Sequence, residues 1–463
     1  MTLNATYTDF GQIVYTDPQG KVSIYNPGDI SWILTSTALV MIMTPGLAIF
    51  HAGLLRRKNA LSLMFLSIAI YSVVAIQWFL WGFSLVYSPN DSSFVGSLHH
   101  VAFQHLGFDP AESNARIPVL AYAIYQMMFA TITCVIIMGA VAERGRIVPA
   151  VVFAVLWTTI VYDPIARWTW SIRGWSLKLG SLDFGGGGPV HMSSGSAALA
   201  YSLVLGHRAG YKTARLAYRA HNASYVFLGT ALLWFGWFGF IGGSTDASNL
   251  QALHACLVIN LSAAAGGLTW LVIDRLRQGT WSPVSFCSGV LVALIAATPA
   301  AGLVPASAGL AFGVISALVC NYATVLKVWL DCDDALDIFA SHAIGGLTGS
   351  LLTGIFADAN TASFDGKTNI KGGWINGNFI QFAYQLASSS VILGYSFIIS
   401  AILLLIIDRI PGIGPLRVGE EAEIEGLDYD QLGELLVFYL SFETSSCEDT
   451  DVGFQHTTAP MIT

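Results

Sequence analysis

Eleven apolar runs, each about as long as a helix that crosses a lipid bilayer, constrain this chain more than any other feature. A crossing helix takes about 20 largely apolar residues. Runs of that length, bounded by charge or by Gly/Pro clusters, fall near 31–55, 60–87, 118–142, 148–170, 188–206, 223–243, 252–273, 282–300, 303–326, 336–356 and 380–407. Charged residues make up only 11% of the 463, against about a quarter in a soluble domain. The predicted fold is therefore an all-α membrane protein of eleven transmembrane helices. An extracellular segment, 1–30, precedes a membrane domain, 31–408, and a cytoplasmic tail, 409–463, follows it. No basic n-region or apolar h-region precedes Asn26, so the first apolar run must itself direct insertion.

An odd number of spans puts the termini on opposite sides, and charge decides which. With the N-terminus outside, the inner connections hold Arg56, Arg57, Lys58, Arg144, Arg146, Arg208, Lys212, Arg215, Arg219, Arg275, Arg277 and Lys327, and the tail adds Arg409 and Arg417. Those are fourteen of the 21 Lys and Arg. The bias predicts N-terminus out and C-terminus in. The sequons Asn4-Ala-Thr and Asn90-Asp-Ser then fall outside. Trp32, Tyr87, Trp168, Trp170 and Trp281, near span ends, read as interfacial anchors. Gly345, Gly346, Gly349 and Ser350 give the tenth span the small-residue spacing of close helix contact.

The net charge of −8 comes mostly from the acidic tail, and no basic cluster with interleaved aromatics points to nucleic acid. The six cysteines show no paired spacing, so neither a disulfide framework nor a zinc site is expected.

Ionisable groups inside spans are costly and mark function. His191 opens the fifth span and His342 lies inside the tenth, each followed four residues later by glycine, Gly195 and Gly346. Each histidine sits on the fifth helix of a five-helix set. An odd-numbered repeat must be inverted in the membrane, giving a 5+5 pseudo-repeat plus an eleventh helix. Equivalent positions of such repeats meet near the midplane, where transporters place their sites. Singly, either histidine reads as a satisfied core residue; as a symmetric pair they read as the lining of a pore. Neutral imidazoles offer donor and acceptor positions without fixed charge, which suits a small solute that can become neutral. Two histidines are too few for a catalytic metal, and Asp183 stands more than two helical turns before His191. No metal or cofactor is expected. A His–Asp hydrolase would need a Ser or Cys nucleophile beside the imidazole, and no enzyme is expected either.

Ser181-Leu-Asp-Phe-Gly-Gly-Gly-Gly-Pro-Val-His191 and Asp337-Ile-Phe-Ala-Ser-His342-Ala-Ile-Gly-Gly346 resemble the two histidine segments of the ammonium transporter (Amt/Mep/Rh) family, in the flavour of the fungal permeases. Pro45-Gly-Leu-Ala-Ile-Phe-His51, Ala142-Glu-Arg144, Trp237-Phe-Gly-Phe-Ile-Gly-Gly-Ser244 and Thr298-Pro-Ala-Ala-Gly302 support the match. The resemblance implies a plasma-membrane homotrimer, multi-pass in each subunit, that carries ammonium or methylammonium through one pore per subunit. It implies that Trp170, Phe129 and Ser244 form an outer recruitment site, shaped by the buried carboxylate of Asp183. Phe129 and Phe240 are the implied gate rings, and His191 and His342 line the pore and relay protons. Ammonium is expected to give up its proton and pass as ammonia, the proton travelling separately. The alternative is an ammonium sensor with little flux. His51, where many relatives have tyrosine, is expected close below the pore. Asp163 and Arg167 also depart from the family pattern, as does Ile241; a positive Arg167 near the mouth would repel ammonium unless Asp163, four residues earlier, pairs with it.

Past Arg409 the sequence turns polar. Residues 416–440 resemble the family's inner regulatory segment, which either packs with the basic 208–219 loop as its electrostatic partner or stands as a solvated acidic tail. Ser445 and Ser446 lie in an acid-directed phosphorylation pattern, and 441–463 are expected to be disordered. His99, His100 and His105 read as surface residues of an outer loop.

Overall fold

Pro27 occupies the first turn of helix α1 (Pro27–Leu54), where its missing N–H costs nothing, and the Asn26 side chain accepts from the N–H groups of Gly28 and Asp29. From there the computed structural model, which describes residues 4–7, 11–17, 19–213, 220–434 and 436, is almost wholly helical. The long helices are α2 (60–87), α3 (Val119–Ile137), α4 (147–170), α5 (187–205), α6 (Ala223–Gly242), α7 (Leu250–Gln278), α8 (Pro283–Ala297), α9 (Ala306–Ala323), α10 (Phe339–Phe356) and α11 (Ile380–Ile407). Among the described residues nine helices are long and apolar enough to cross a bilayer. The runs predicted near 188–206 and 282–300 form α5 and α8, which fall outside that nine; α8 has only 15 residues.

Large apolar side chains that would be buried in a soluble protein face outward here, among them Phe65, Ile76, Phe235, Leu253, Leu268 and Ile398. A skin of this kind belongs against lipid. Inside, glycines let helices meet backbone to backbone. A Cβ on Gly229 would sit 2.5 Å from Phe50 N, and one on Gly239 2.4 Å from Leu39 Cβ, so α6 lies directly along α1. Gly349, on the small face expected of the tenth span, abuts the carbonyl of Ala296.

Three local findings differ from the sequence reading. The segment ahead of α1 forms a three-stranded antiparallel sheet, Asn4–Tyr7, Ile13–Thr16 and Val22–Tyr25, in that order. It is tied to the body where Asn26 N–H donates to Arg116 O and Tyr25 Oη to Phe108 O. Arg167 does not pair with Asp163. Its buried guanidinium donates to the carbonyls of Val86, Ser88, Asn90 and Ser92 and to Asn90 Oδ1, while Asp163 Oδ2 accepts from Gln77 Nε2 at 2.8 Å. The positive charge is spent on stapling the 86–94 loop. Trp168 is not a lipid-facing anchor: it is buried and donates to Phe94 O.

At the opposite end the tail docks. Val418 N–H donates to Arg144 O and Arg146 N–H to Leu416 O. Two short helices follow, α12 (Glu420–Glu425) and α13 (Leu427–Leu432). The Asp428 carboxylate accepts from Leu61 and Ser62 N–H, capping the start of α2. Of the loop expected to attract the tail, Arg208 is taken up by Glu143 and Asp333 and Lys212 by Asp331; Glu423 instead accepts from the Ala209 N–H. Arg215, Arg219, Ser445, Ser446 and the segment 441–463 lie outside the described residues.

Candidate functional site

Both histidines sit in matching local structures. The polypeptide enters α5 through a π-helical turn, Gly187–Met192, and α10 through another, Phe339–Ile344. Asp183 starts the first by accepting the N–H groups of Gly186, Gly187 and Gly188 at 2.7–2.8 Å. Asp334 Oδ2 accepts the Phe339 N–H at the head of the second. Each π turn swings one imidazole inward, and the rings meet: His191 Nδ1 and His342 Nδ1 are 3.1 Å apart. Their closeness depends on the glycines one turn on. A Cβ at Gly195 would stand 2.3 Å from Ala343 N, and one at Gly346 2.8 Å from Gly187 O and 3.2 Å from His191 Cβ. Each histidine is thus followed by the glycine that admits the other's helix.

The Nδ1–Nδ1 contact fixes the chemistry of the pair. When both rings are neutral, one Nδ1 donates and the other accepts. The donor ring then carries a bare Nε2 and its partner an Nε2–H. Both Nε2 atoms are buried without a protein partner. The pair therefore offers one acceptor and one donor to a small cavity of about 10 Å³ walled by Leu47, Ile132, Ile136 and Leu291 among others.

An aromatic column leads to this cavity. Trp170 meets Phe129 edge to face at 5.7 Å, Phe129 stacks on Phe240 at 4.2 Å, and Phe240 lies 6.3 Å from the His191 ring. Ser244 stands one turn beyond Phe240 and donates to its carbonyl. All the residues expected at the outer site and in the pore except Ser244 are thus joined by ring contacts or, for Asp183, by the Trp170 Nε1 hydrogen bond to its carbonyl at 3.3 Å. Part of the Asp183 residue reaches the surface, but its carboxylate is buried, and three backbone N–H groups occupy it. His51 is buried, its ring edge facing Gly139.

Two members of the column were not singled out by sequence reasoning. Trp237 stacks on His191 at 5.7 Å and donates to Thr298 Oγ1. Tyr125 donates to the carbonyls of Gly239 and Phe240 and meets Phe129 edge to face. Helical spacing was the available signal: Trp237 precedes Phe240 by three residues and Tyr125 precedes Phe129 by four, so each shares a face with an expected gate ring.

An apolar-skinned helical body around a buried aromatic and imidazole column has the form of an integral membrane protein rather than a surface-bound one. Comparison with known proteins makes the class specific. A profile of the Ammonium Transporter Family matches residues 31–436. The chain is 46% identical to ammonium transporter 1 of Schizosaccharomyces pombe, over 94% of this chain and 87% of that one, and 41% identical to ammonium transporter MEP2 of Saccharomyces cerevisiae, over 92% and 85%. The crystal structure of Candida albicans Mep2 superposes with a TM-score of 0.81 at 44% identity, covering 86% of this chain and 87% of that one. The chain belongs to the ammonium transporter family. It is a multi-pass membrane protein that transports ammonium, and it is not an enzyme.

Proposed function

We propose that this protein conducts ammonium by removing its proton at the foot of the aromatic column and passing ammonia between His191 and His342. The Nδ1–Nδ1 pair, with one free acceptor and one free donor, carries this reading. Stripping an intact ion of water costs roughly tens of kcal/mol in the idealised limit and several after relaxation. Treated like a lysine amine of pKa about 10.4, ammonium gives up its proton at pH 7 for only about 4–5 kcal/mol. Deprotonation is the cheaper route, and potassium has no proton to lose.

Trp170, partly buried and edge to face with Phe129, offers a cation–π face for recruitment, with Asp183 holding the indole through its carbonyl and Ser244 a turn beyond Phe240 completing the site. The stacked Phe129 and Phe240 form the gate, which must part for each solute. The proton passes along the two imidazoles, so net transport is of charge. In this reading all eleven apolar helices cross the plasma membrane, N-terminus outside and C-terminus inside, and the matching π turns of α5 and α10 support an inverted 5+5 repeat. The protein works as a homotrimer with one pore per subunit.

Radiolabelled methylammonium uptake with simultaneous current recording, in a host lacking its own ammonium carriers, is the test. Wild type is expected to carry about one charge per solute. His191→Ala and His342→Ala are expected to lose flux or to admit potassium; undiminished selectivity in both would sink the mechanism. The closed stacking of the two phenylalanines, with only about 10 Å³ beyond it, favours a second reading, a sensor with little flux. Uptake at rates that sustain growth on ammonium would exclude that reading.

A further inference from the structure

Two residues past Ser244 stands an acid that the column leaves unused. Asp246 follows the tight turn Gly243–Thr245, and its N–H closes on Gly243 O at 2.8 Å. Its φ of 53° is left-handed, a conformation Asp tolerates better than most residues. Asn114 Nδ2 locks the turn from outside by donating to the Asp246 carbonyl at 2.7 Å. The side chain is 7% exposed, and Oδ1 is buried with no hydrogen-bond partner.

The groups acting on this carboxylate come from several elements. Ser113 and Lys367 face it from two outer loops, and Lys367 Nζ is anchored on Ser113 O at 2.7 Å. Tyr87 of α2 and Tyr122 and Tyr125 of α3 lie within its electrostatic reach. Tyr122, Tyr125 and Phe129 succeed one another down a single face of α3, so Asp246 looks onto the wall that ends at the expected gate. No ion pair to Asp246 forms among the described residues. A desolvated carboxylate without a cation is costly, and a mobile cation donating to it and to the neighbouring phenol oxygens would offset that cost.

Resting on the transport reading, we infer that Asp246 is an outer cation station, which holds ammonium before it reaches Trp170 and Ser244. The station concentrates monovalent cations without choosing among them, and choice is left to the imidazoles. Burial pushes the Asp246 carboxyl up to about 7, against the lowering effect of Ser113 and Lys367. The station is therefore charged above neutral external pH and discharged as pH falls through that value.

The test is methylammonium uptake by the full chain in a carrier-deficient host, at external pH 6 to 8. Wild type is expected to need more substrate for half-saturation as pH falls. Asp246→Asn is expected to raise that concentration about tenfold at the alkaline end, the order of one partly screened charge pair, and to flatten its pH dependence, with maximal rate little changed. Asp246→Glu should restore the pH dependence. Lys367→Gln, at an exposed position, should lower half-saturation by relieving the opposing charge, which keeps the test alive if Asp246→Asn does not fold. Unchanged half-saturation and pH profile in Asp246→Asn, or an unchanged or raised value in Lys367→Gln, would overturn the station. Absence of wild-type flux would instead strike at the transport mechanism itself.

Discussion

A methyl group on Gly346 would meet the Gly187 carbonyl at 2.8 Å and His191 Cβ at 3.2 Å, so Gly346→Ala must push the two imidazoles apart. Methylammonium flux is expected to fall at least about tenfold in a protein still folded by thermal melting, because overpacking by one carbon costs about 1–3 kcal/mol. Gly195→Ala meets the rigid backbone of Ala343 instead and should lose stability as well as flux. Both histidines and both glycines were legible in the sequence as ionisable groups and bare turns inside apolar runs. Trp237 and Tyr125 were legible only through their helical spacing from Phe240 and Phe129, because an aromatic residue in an apolar helix looks the same whether it packs or lines a passage. Arg167 was legible as an anomaly, and the Asp163 pairing that would have neutralised it does not form. Its partners are carbonyls of an irregular loop some eighty residues away, which no local spacing reveals. Arg167→Ala should lower thermal stability by roughly 3 kcal/mol, since it orphans several buried carbonyls. Arg167→Lys should recover only part of that, an ammonium being unable to reach across the fork.

Among the elements, α5 and α10 were placed by their histidines although α5 mixes glycines, serines and His191 into its first turns. Their π turns were invisible, since no residue pattern announces one extra residue in a helical turn. Interruptions of the same kind occur in α2 at Trp78–Gly82 and in α4 at Thr158–Tyr162, where Gln77 and Asp163 meet across them. The tail belongs to this scale too. Its anchor is a buried hub in which Glu143 receives Arg56, Asn59 and Arg208. Burial raises the Glu143 carboxyl, but Arg208 and Arg56 outweigh it and hold the group below the usual carboxylate range. The hub is therefore at full strength above about pH 4 and fails only as pH falls through that lowered value. Removing the Asp428 cap is the gentler perturbation. Asp428→Asn should speed limited proteolysis between residues 416 and 434 at neutral pH, and a cleavage rate equal to wild type would show that the cap does not hold the tail.

For the molecule as a whole, the outward apolar skin and the inward aromatic and imidazole column give the inner and outer helix faces unlike packing partners. Subunit association should then follow whichever lipid-facing surface packs best against its own copy, and light scattering in mild detergent is expected to give three chains per particle. The imidazole contact also imposes an order on events. Because the rings share a single N–H, they have two mirror arrangements. If protons pass along the pair as proposed, one arriving at the bare nitrogen of His191 would drive the shared one across and expel another from His342, leaving the arrangement inverted. Under the proposed relay, nothing more would enter from that side until both rings exchange tautomers, so proton flow would alternate a hop with a reset, whatever the supply of substrate.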